Sequence, residues 1–134
     1  MPGLHLLLDG TTVMPLTVSY LYQFLTDLVA HVNMTIIQGP VVYKNLAGDF
    51  DGWVILAESH CAIHVYGDAV FVDAFSCRGF DTIKATEFVR CRLRMEIENV
   101  TVIERPLGEL PPRFDEDIPS IGLRPPSAQT VRLV

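Results

Sequence analysis

Little in this sequence points to a covalent or metal-built scaffold. Only three of the 134 residues are cysteines (Cys61, Cys77 and Cys91), and no two stand in a C-x-x-C spacing. An odd number without paired spacing argues against a disulfide framework and against a zinc cage. Free thiols fit a reducing compartment, so a cytoplasmic protein is expected. Positive charge is also scarce: ten Lys and Arg stand against sixteen Asp and Glu, for a formal net charge of -6. A chain this acidic is not built to neutralise a phosphate backbone, so nucleic acid is not expected as a partner. No apolar run approaches the roughly 18 residues of a membrane helix. The start, Met1-Pro2-Gly3-Leu4-His5, lacks the basic-then-apolar order of a signal peptide. No membrane partner is expected either.

What is present suffices for a folded domain. Hydrophobic residues make up 49% of the chain and charged ones 19%, a balance that supports a core and excludes a disordered polyelectrolyte. The length fits one domain. Leu4 to Asp9 reads as a buried strand, broken by Gly10-Thr11-Thr12. A helix fits Val18 to Val32, with Leu21, Phe24, Leu25, Leu28 and Val32 on one face, Thr17 or Ser19 as cap and Asn33 as stop. Met34 to Tyr43 reads as a strand interrupted at Gly39-Pro40, and Asn45 to Gly52 as a loop. Three strands follow: Trp53 to Glu58, Cys61 to Tyr66 and Val70 to Cys77. The tight turn at Gly67-Asp68 implies antiparallel pairing. A second helix fits Thr82 to Leu93, capped by Asp81, with Ile83, Phe88 and Cys91 inward; Met95 to Glu104 is a last strand.

These elements predict an α+β two-layer sandwich, with a mostly antiparallel sheet and two helices on one face. The other face then needs a partner or a site. Residues 1–105 form the expected domain. Residues 106–134 form a tail rich in proline, which reads as extended and poorly ordered, or as an arm around a neighbouring subunit.

The chemistry concentrates in Leu56-Ala57-Glu58-Ser59-His60-Cys61-Ala62-Ile63-His64, followed by Val72-Asp73-Ala74-Phe75-Ser76-Cys77. Polar groups within apolar strands are costly unless they are paired or used. His60 and His64 have the spacing of a helical zinc pair. In a strand their Cα atoms lie roughly 13 Å apart, too far to share one ion, so no metal site is expected. No G-x-S-x-G elbow surrounds Ser59, which leaves a serine hydrolase little support.

The string Ala57-Glu58-Ser59-His60-x-x-Ile63-His64, then Asp73-x-Phe75-x-Cys77, resembles the core motif of the prokaryotic S-adenosylmethionine decarboxylase family. Gly3 to Asp9, Gly52 and the run after it, Asp81-Thr82-Ile83-Lys84-Ala85-x-Glu87, and Val100 to Glu104 extend the resemblance, in order, over about residues 3 to 110. The resemblance implies a proenzyme that cuts itself between Glu58 and Ser59. The Ser59 hydroxyl would attack the Glu58 carbonyl carbon, converting the peptide to an ester. Elimination and hydrolysis would then leave a pyruvoyl group at position 59, the self-made cofactor. Such a group can form a Schiff base with a substrate amine and delocalise the electrons left as carbon dioxide departs.

Further roles follow from the resemblance alone. His64 matches the histidine that assists processing, and Cys77 the residue that returns a proton to the substrate carbon. Asp9 falls at an acidic position near the substrate, and Asp68 at a ribose-contacting one. Cys61 and Cys91 read as packing residues, and His60 takes no separate role. The family also implies a homodimer or higher homo-oligomer, a small-molecule substrate and, for S-adenosylmethionine, a place in spermidine synthesis.

Three departures lie on the substrate side. Val65-Tyr66-Gly67-Asp68 replaces Thr-Trp-Pro-Glu in a shorter hairpin. Asp51 replaces a serine that helps processing; its carboxylate could slow cleavage or hold a cationic part of the substrate. Asn45 stands where an adenine-stacking aromatic is usual, a task open to Tyr43 or Phe50 only after a register change. Two alternatives therefore stay open: a pyruvoyl decarboxylase of ornithine or arginine, and an unprocessed homologue with a binding or regulatory role.

Overall fold

The computed structural model describes residues 3–106 and 129–133. Alternating burial along the strands organises them. Leu6 and Leu8 of β1 (Gly3–Thr11) are buried, and so are Cys61, Ile63 and Val65 of β4 (Ser59–Tyr66) and Val70, Val72 and Ala74 of β5 (Ala69–Ser76). Their odd-phase neighbours point to the opposite face. With β2 (Ile36–Lys44), β3 (Phe50–Leu56), β6 (Glu96–Arg105) and β7 (Gln129–Leu133), they form one seven-stranded sheet in the order β2-β3-β4-β5-β1-β6-β7. Every neighbouring pair is antiparallel. The fold is the expected two-layer α+β sandwich.

Both helices cover the apolar face. Helix α1 (Val18–His31) starts at Thr17, whose hydroxyl accepts the Tyr20 N–H, and stops before Asn33, which adopts φ 62°. It buries Leu21, Phe24, Leu25, Leu28 and Val29, packed on the sheet side chains Leu6, Leu8, Val54 and Ile63. Gly52 lies beneath it: a Cβ there would come within 3.1 Å of Leu25 Cδ1. Helix α2 (Thr82–Leu93) is capped by Asp81, which accepts the Lys84 N–H at 2.9 Å. Asp27 of α1 pairs with Arg92 of α2, whose guanidinium holds the Asp27 carboxyl below its usual range. The Tyr20 hydroxyl donates to the Arg92 carbonyl at 2.6 Å.

Several expectations need correction. The inward face of α2 is Ala85, Val89 and Leu93, with Phe88 partly buried; Ile83 and Cys91 are exposed. The i, i+4, i+8 row of small and branched residues lies against the sheet, and the bulkier Ile83 falls off it. Strand β1 does not end at Asp9. A bulge between Asp9 and Gly10 carries it on to Thr11. The loop before β3 is shorter than expected, so Asp51 and Gly52 are strand residues paired to His64 and Ile63. Gln129–Leu133 pairs with β6 as a strand of the same sheet, unlike the poorly ordered tail expected there; residues 107–128 lie outside the described residues.

The Gly10 position sets how closely β1 approaches β6. A Cβ on Gly10 would lie 2.1 Å from the Glu96 carbonyl oxygen, and only backbone movement could relieve the clash. Gly10→Ala is expected to lower stability by about 1–3 kcal/mol, as overpacking does, measured as a reduced urea midpoint; an unchanged midpoint would show that the bulge is plastic.

Candidate functional site

Chemistry-bearing side chains form three groups. The first lies at the β3–β4 turn. Leu56 pairs with Ser59, so Ala57 and Glu58 are the turn residues. Glu58 adopts φ 60°, the left-handed region in which a residue with a Cβ is strained by roughly 1–2 kcal/mol. Ser59 follows at once, buried on the helix side with Cys61 and Ile63. Its Oγ accepts the Cys77 N–H at 3.2 Å and lies 3.9 Å from the Cys77 sulfur. The Cys77 thiol donates to Glu58 Oε2 at 3.3 Å. The Cys77 thiol, 18 residues on in sequence, thus converges with the serine and the carboxylate on the Glu58–Ser59 peptide bond.

The second group lies on the helix-free face, toward the far end of the sheet. Asp51, His64, Phe71 and Asp9 occupy one cross-strand row over β3, β4, β5 and β1, and Tyr43 of β2 extends it beyond Asp51. His64 Nδ1 lies 2.8 Å from Asp51 Oδ1. Asn45 Nδ2 donates to the same Oδ1 at 3.4 Å and to the Val65 carbonyl at 3.2 Å. The Tyr66 ring lies nearly parallel to the imidazole, with centroids 6.5 Å apart. Asp9 shares the row but stands across Phe71 from His64. Asp68 is apart from both groups, on the β4–β5 turn, where it lines a cavity of about 370 Å³ with Thr12, Asp49 and Phe50.

The third group had no assigned role in the sequence. His60, Phe75 and His5 are cross-strand neighbours on the helix-free face at the turn end of the sheet. The His5 and His60 rings meet edge-on at 5.9 Å, and Arg105 lies over Phe75 at 4.7 Å. His5 Nε2 is buried without a hydrogen-bond partner, 3.8 Å from Asp73 Oδ2. Burial and then the neighbouring His5 push the His60 pKa below its ordinary value. The signal available in the sequence was strand parity: residues 5, 60, 73 and 75 share one face once the register is known.

Cys61 is inert as a nucleophile. Burial pushes its thiol up to about 12, in keeping with a packing role. Cys91 is exposed and does not pack as expected. No cluster of three or more metal-ligating side chains occurs among the described residues, and none of their helices is long and apolar enough to cross a membrane.

Ser59 and His64 are not brought together. They lie on opposite faces of β4, five residues apart, or roughly 16 Å along a strand. Within one chain in this conformation, the imidazole cannot touch the serine.

Two charged imidazoles repel, so His5 opposes protonation of His60. In His5→Gln that repulsion is gone, and His60 is expected to titrate at a higher pH. An NMR titration of the His60 ring protons checks this; an unmoved midpoint removes the coupling. Comparison with known proteins gives one positive finding. The family model described as S-adenosylmethionine decarboxylase matches residues 4–106. A search of curated proteins found no match.

Proposed function

The chain belongs to the S-adenosylmethionine decarboxylase family, and we propose that it is a self-cleaving, pyruvoyl-dependent decarboxylase whose scissile bond joins Glu58 to Ser59. The observation that carries this reading is the meeting of Ser59, Cys77 and a left-handed Glu58 at the β3–β4 turn.

The residues present fit a group made from the chain itself. Ser59 supplies its atoms. Strain at Glu58 raises the energy of the intact turn and is released when the chain is cut there. The Cys77 N–H holds Ser59 Oγ, the atom that must attack the Glu58 carbonyl. The Cys77 thiol is engaged by the Glu58 carboxylate in the uncut chain. Departure of the Glu58 end frees that thiol to hand a proton to the substrate carbon. A pyruvoyl group at position 59 supplies the electron sink for loss of carbon dioxide.

His64 moves a proton during processing, and it does so from a second copy of the chain. The imidazole is on the helix-free face, half exposed, where another subunit can meet it. The protein accordingly acts as a homodimer or higher homo-oligomer. S-adenosylmethionine is the substrate, and spermidine synthesis the use of its product. The row Tyr43–Asp51–His64–Phe71–Asp9 combines aromatic rings with carboxylates. That combination suits a ligand carrying both an aromatic base and a cationic sulfonium. Asp9 and Asp51 of the row are its proposed contacts, with Asp68, on the β4–β5 turn outside the row, as a third.

Intact mass spectrometry tests the central step. Purified protein is expected as two fragments, residues 1–58 and 59–134, the second with a blocked, carbonyl-bearing N-terminus. A single full-length mass after long incubation sinks the reading. Ser59→Ala is expected to stay whole. Cys77→Ala is expected to cleave but to release carbon dioxide from S-adenosylmethionine at least about 100-fold more slowly, the lower range for loss of a positioned proton donor.

Mixing Ser59→Ala with His64→Ala chains tests the second copy. Cleavage of the His64→Ala chain, restored by its partner, is the expected result. No restoration under conditions where subunits exchange would place the proton transfer elsewhere.

A further inference from the structure

We propose that Asp51, braced by Asn45, is the positioning residue for His64: it fixes the imidazole as the Nδ1–H tautomer and leaves Nε2 as the bare nitrogen that takes a proton. This rests on His64 acting as a proton carrier in processing, but its structural half stands apart from that reading.

The argument begins at Asn45. Its Oδ1 accepts two backbone N–H groups, from Ala47 and Asp49, both at 3.0 Å. Those donors fix which end of the amide is oxygen, so the NH₂ end faces Asp51 and the Val65 carbonyl. Asp51 Oδ1 therefore accepts from Asn45. An ionised carboxylate has no proton to give, so His64 Nδ1, 2.8 Å away, must donate as well. Nδ1 carries the hydrogen in the neutral ring, and the lone pair is left on Nε2.

Burial follows the same order. The Asp51 side chain is 15% exposed and that of His64 46%. The carboxylate lies beneath, held by the sheet and the Asn45 loop, and the imidazole lies outward, where a reacting group can reach it. Direct cross-strand pairing of Asp51 with His64 keeps the two side chains at one level of the sheet. Tyr66 on the same strand flanks one side of the ring, Phe71 of β5 is its other neighbour, and Asp9 stands beyond Phe71. Asp51 is the carboxylate in direct contact with the ring, and a bare surface ion pair would need neither the brace nor the buried carboxylate. Loop, strand and imidazole thus form one chain of hydrogen bonds, Asn45 to Asp51 to His64.

Two readouts test it. In uncleavable Ser59→Ala protein, long-range ¹H–¹⁵N spectra above the histidine titration range should show His64 as Nδ1–H. Adding Asp51→Asn should shift it toward Nε2–H. In chains with Ser59 intact, Asp51→Asn should slow cleavage at neutral pH by about 100-fold or more, the range for a misplaced general base. Asn45→Ala, which removes the hydrogen bond to the Asp51 carboxylate together with the loop bonds, should slow it about tenfold or more, as loss of a hydrogen bond to a charged group does. An unchanged tautomer, or a changed tautomer with unchanged cleavage rate, overturns the proposal. If Asp51→Asn does not fold, the cleavage rate of Asn45→Ala decides, and an unchanged rate overturns the proposal. If the parent chain never cleaves, the self-processing reading is lost, and the tautomer result alone decides whether Asp51 positions His64.

Discussion

Everything in this molecule depends on the two-residue period of an antiparallel strand with one face sealed. Helix α1 covers one side of β4, so Ser59, Cys61, Ile63 and Val65 are committed to that side. His60 and His64 are committed to the other. A slip of one residue would exchange the two sets and put imidazoles in the core. The apolar packing of Leu25 and Leu28 on Ile63 and Val54 therefore does more than hold the fold together. It decides which polar groups can meet. Serine, cysteine and glutamate meet at a turn, where the period is broken; the histidines and aspartates meet across a face, where it is kept.

The residues that depart from the family pattern are not scattered. Asn45 and Asp51 are hydrogen-bonded to each other, and Asp51 to His64. Asn45 also ties down the loop that precedes β3, through the Ala47 and Asp49 N–H groups, and Asp49 in turn accepts the Gly67 N–H of the shortened β4–β5 turn at 2.8 Å. The changes in the β2–β3 loop, in β3 and in the β4–β5 turn thus belong to one hydrogen-bonded corner of the sheet. At the opposite end, His5 and His60 lie against Phe75, with Asp73 and Arg105 beside them. Desolvation there favours the neutral ring of His60.

Much of the fold was legible in the sequence because burial periods and caps are local. The Leu21-Phe24-Leu25-Leu28 row marks α1, and Thr17 and Asp81 mark the helix starts. What was not legible needed long-range information. The inward face of α2 depends on where the sheet lies, which the sequence pattern of Ile83 and Phe88 does not say. The run of β1 past Gly10 depends on a bulge and on the close approach of Glu96. Strand β7 follows a stretch rich in proline, and its pairing depends on β6 rather than on local propensity. For the candidate site, Glu58, Ser59 and Cys77 were legible as a motif. That Ser59 and His64 face apart required the register. So did the pairing of Asp51 with His64, because a loop reading of Asn45 to Gly52 left the carboxylate without a direction.

The strand order has a last consequence. A chain cut between Glu58 and Ser59 becomes two pieces: one contributes β1, β2 and β3, the other β4, β5, β6 and β7. In the sheet these pieces do not lie side by side. Strand β1 of the first is inserted between β5 and β6 of the second, while β3 abuts β4. Pulling the pieces apart would open the ladders on both edges of β1 as well as the one between β3 and β4. The backbone can thus be severed at that turn and the domain remain one body, dovetailed by its topology rather than by the bond that was lost.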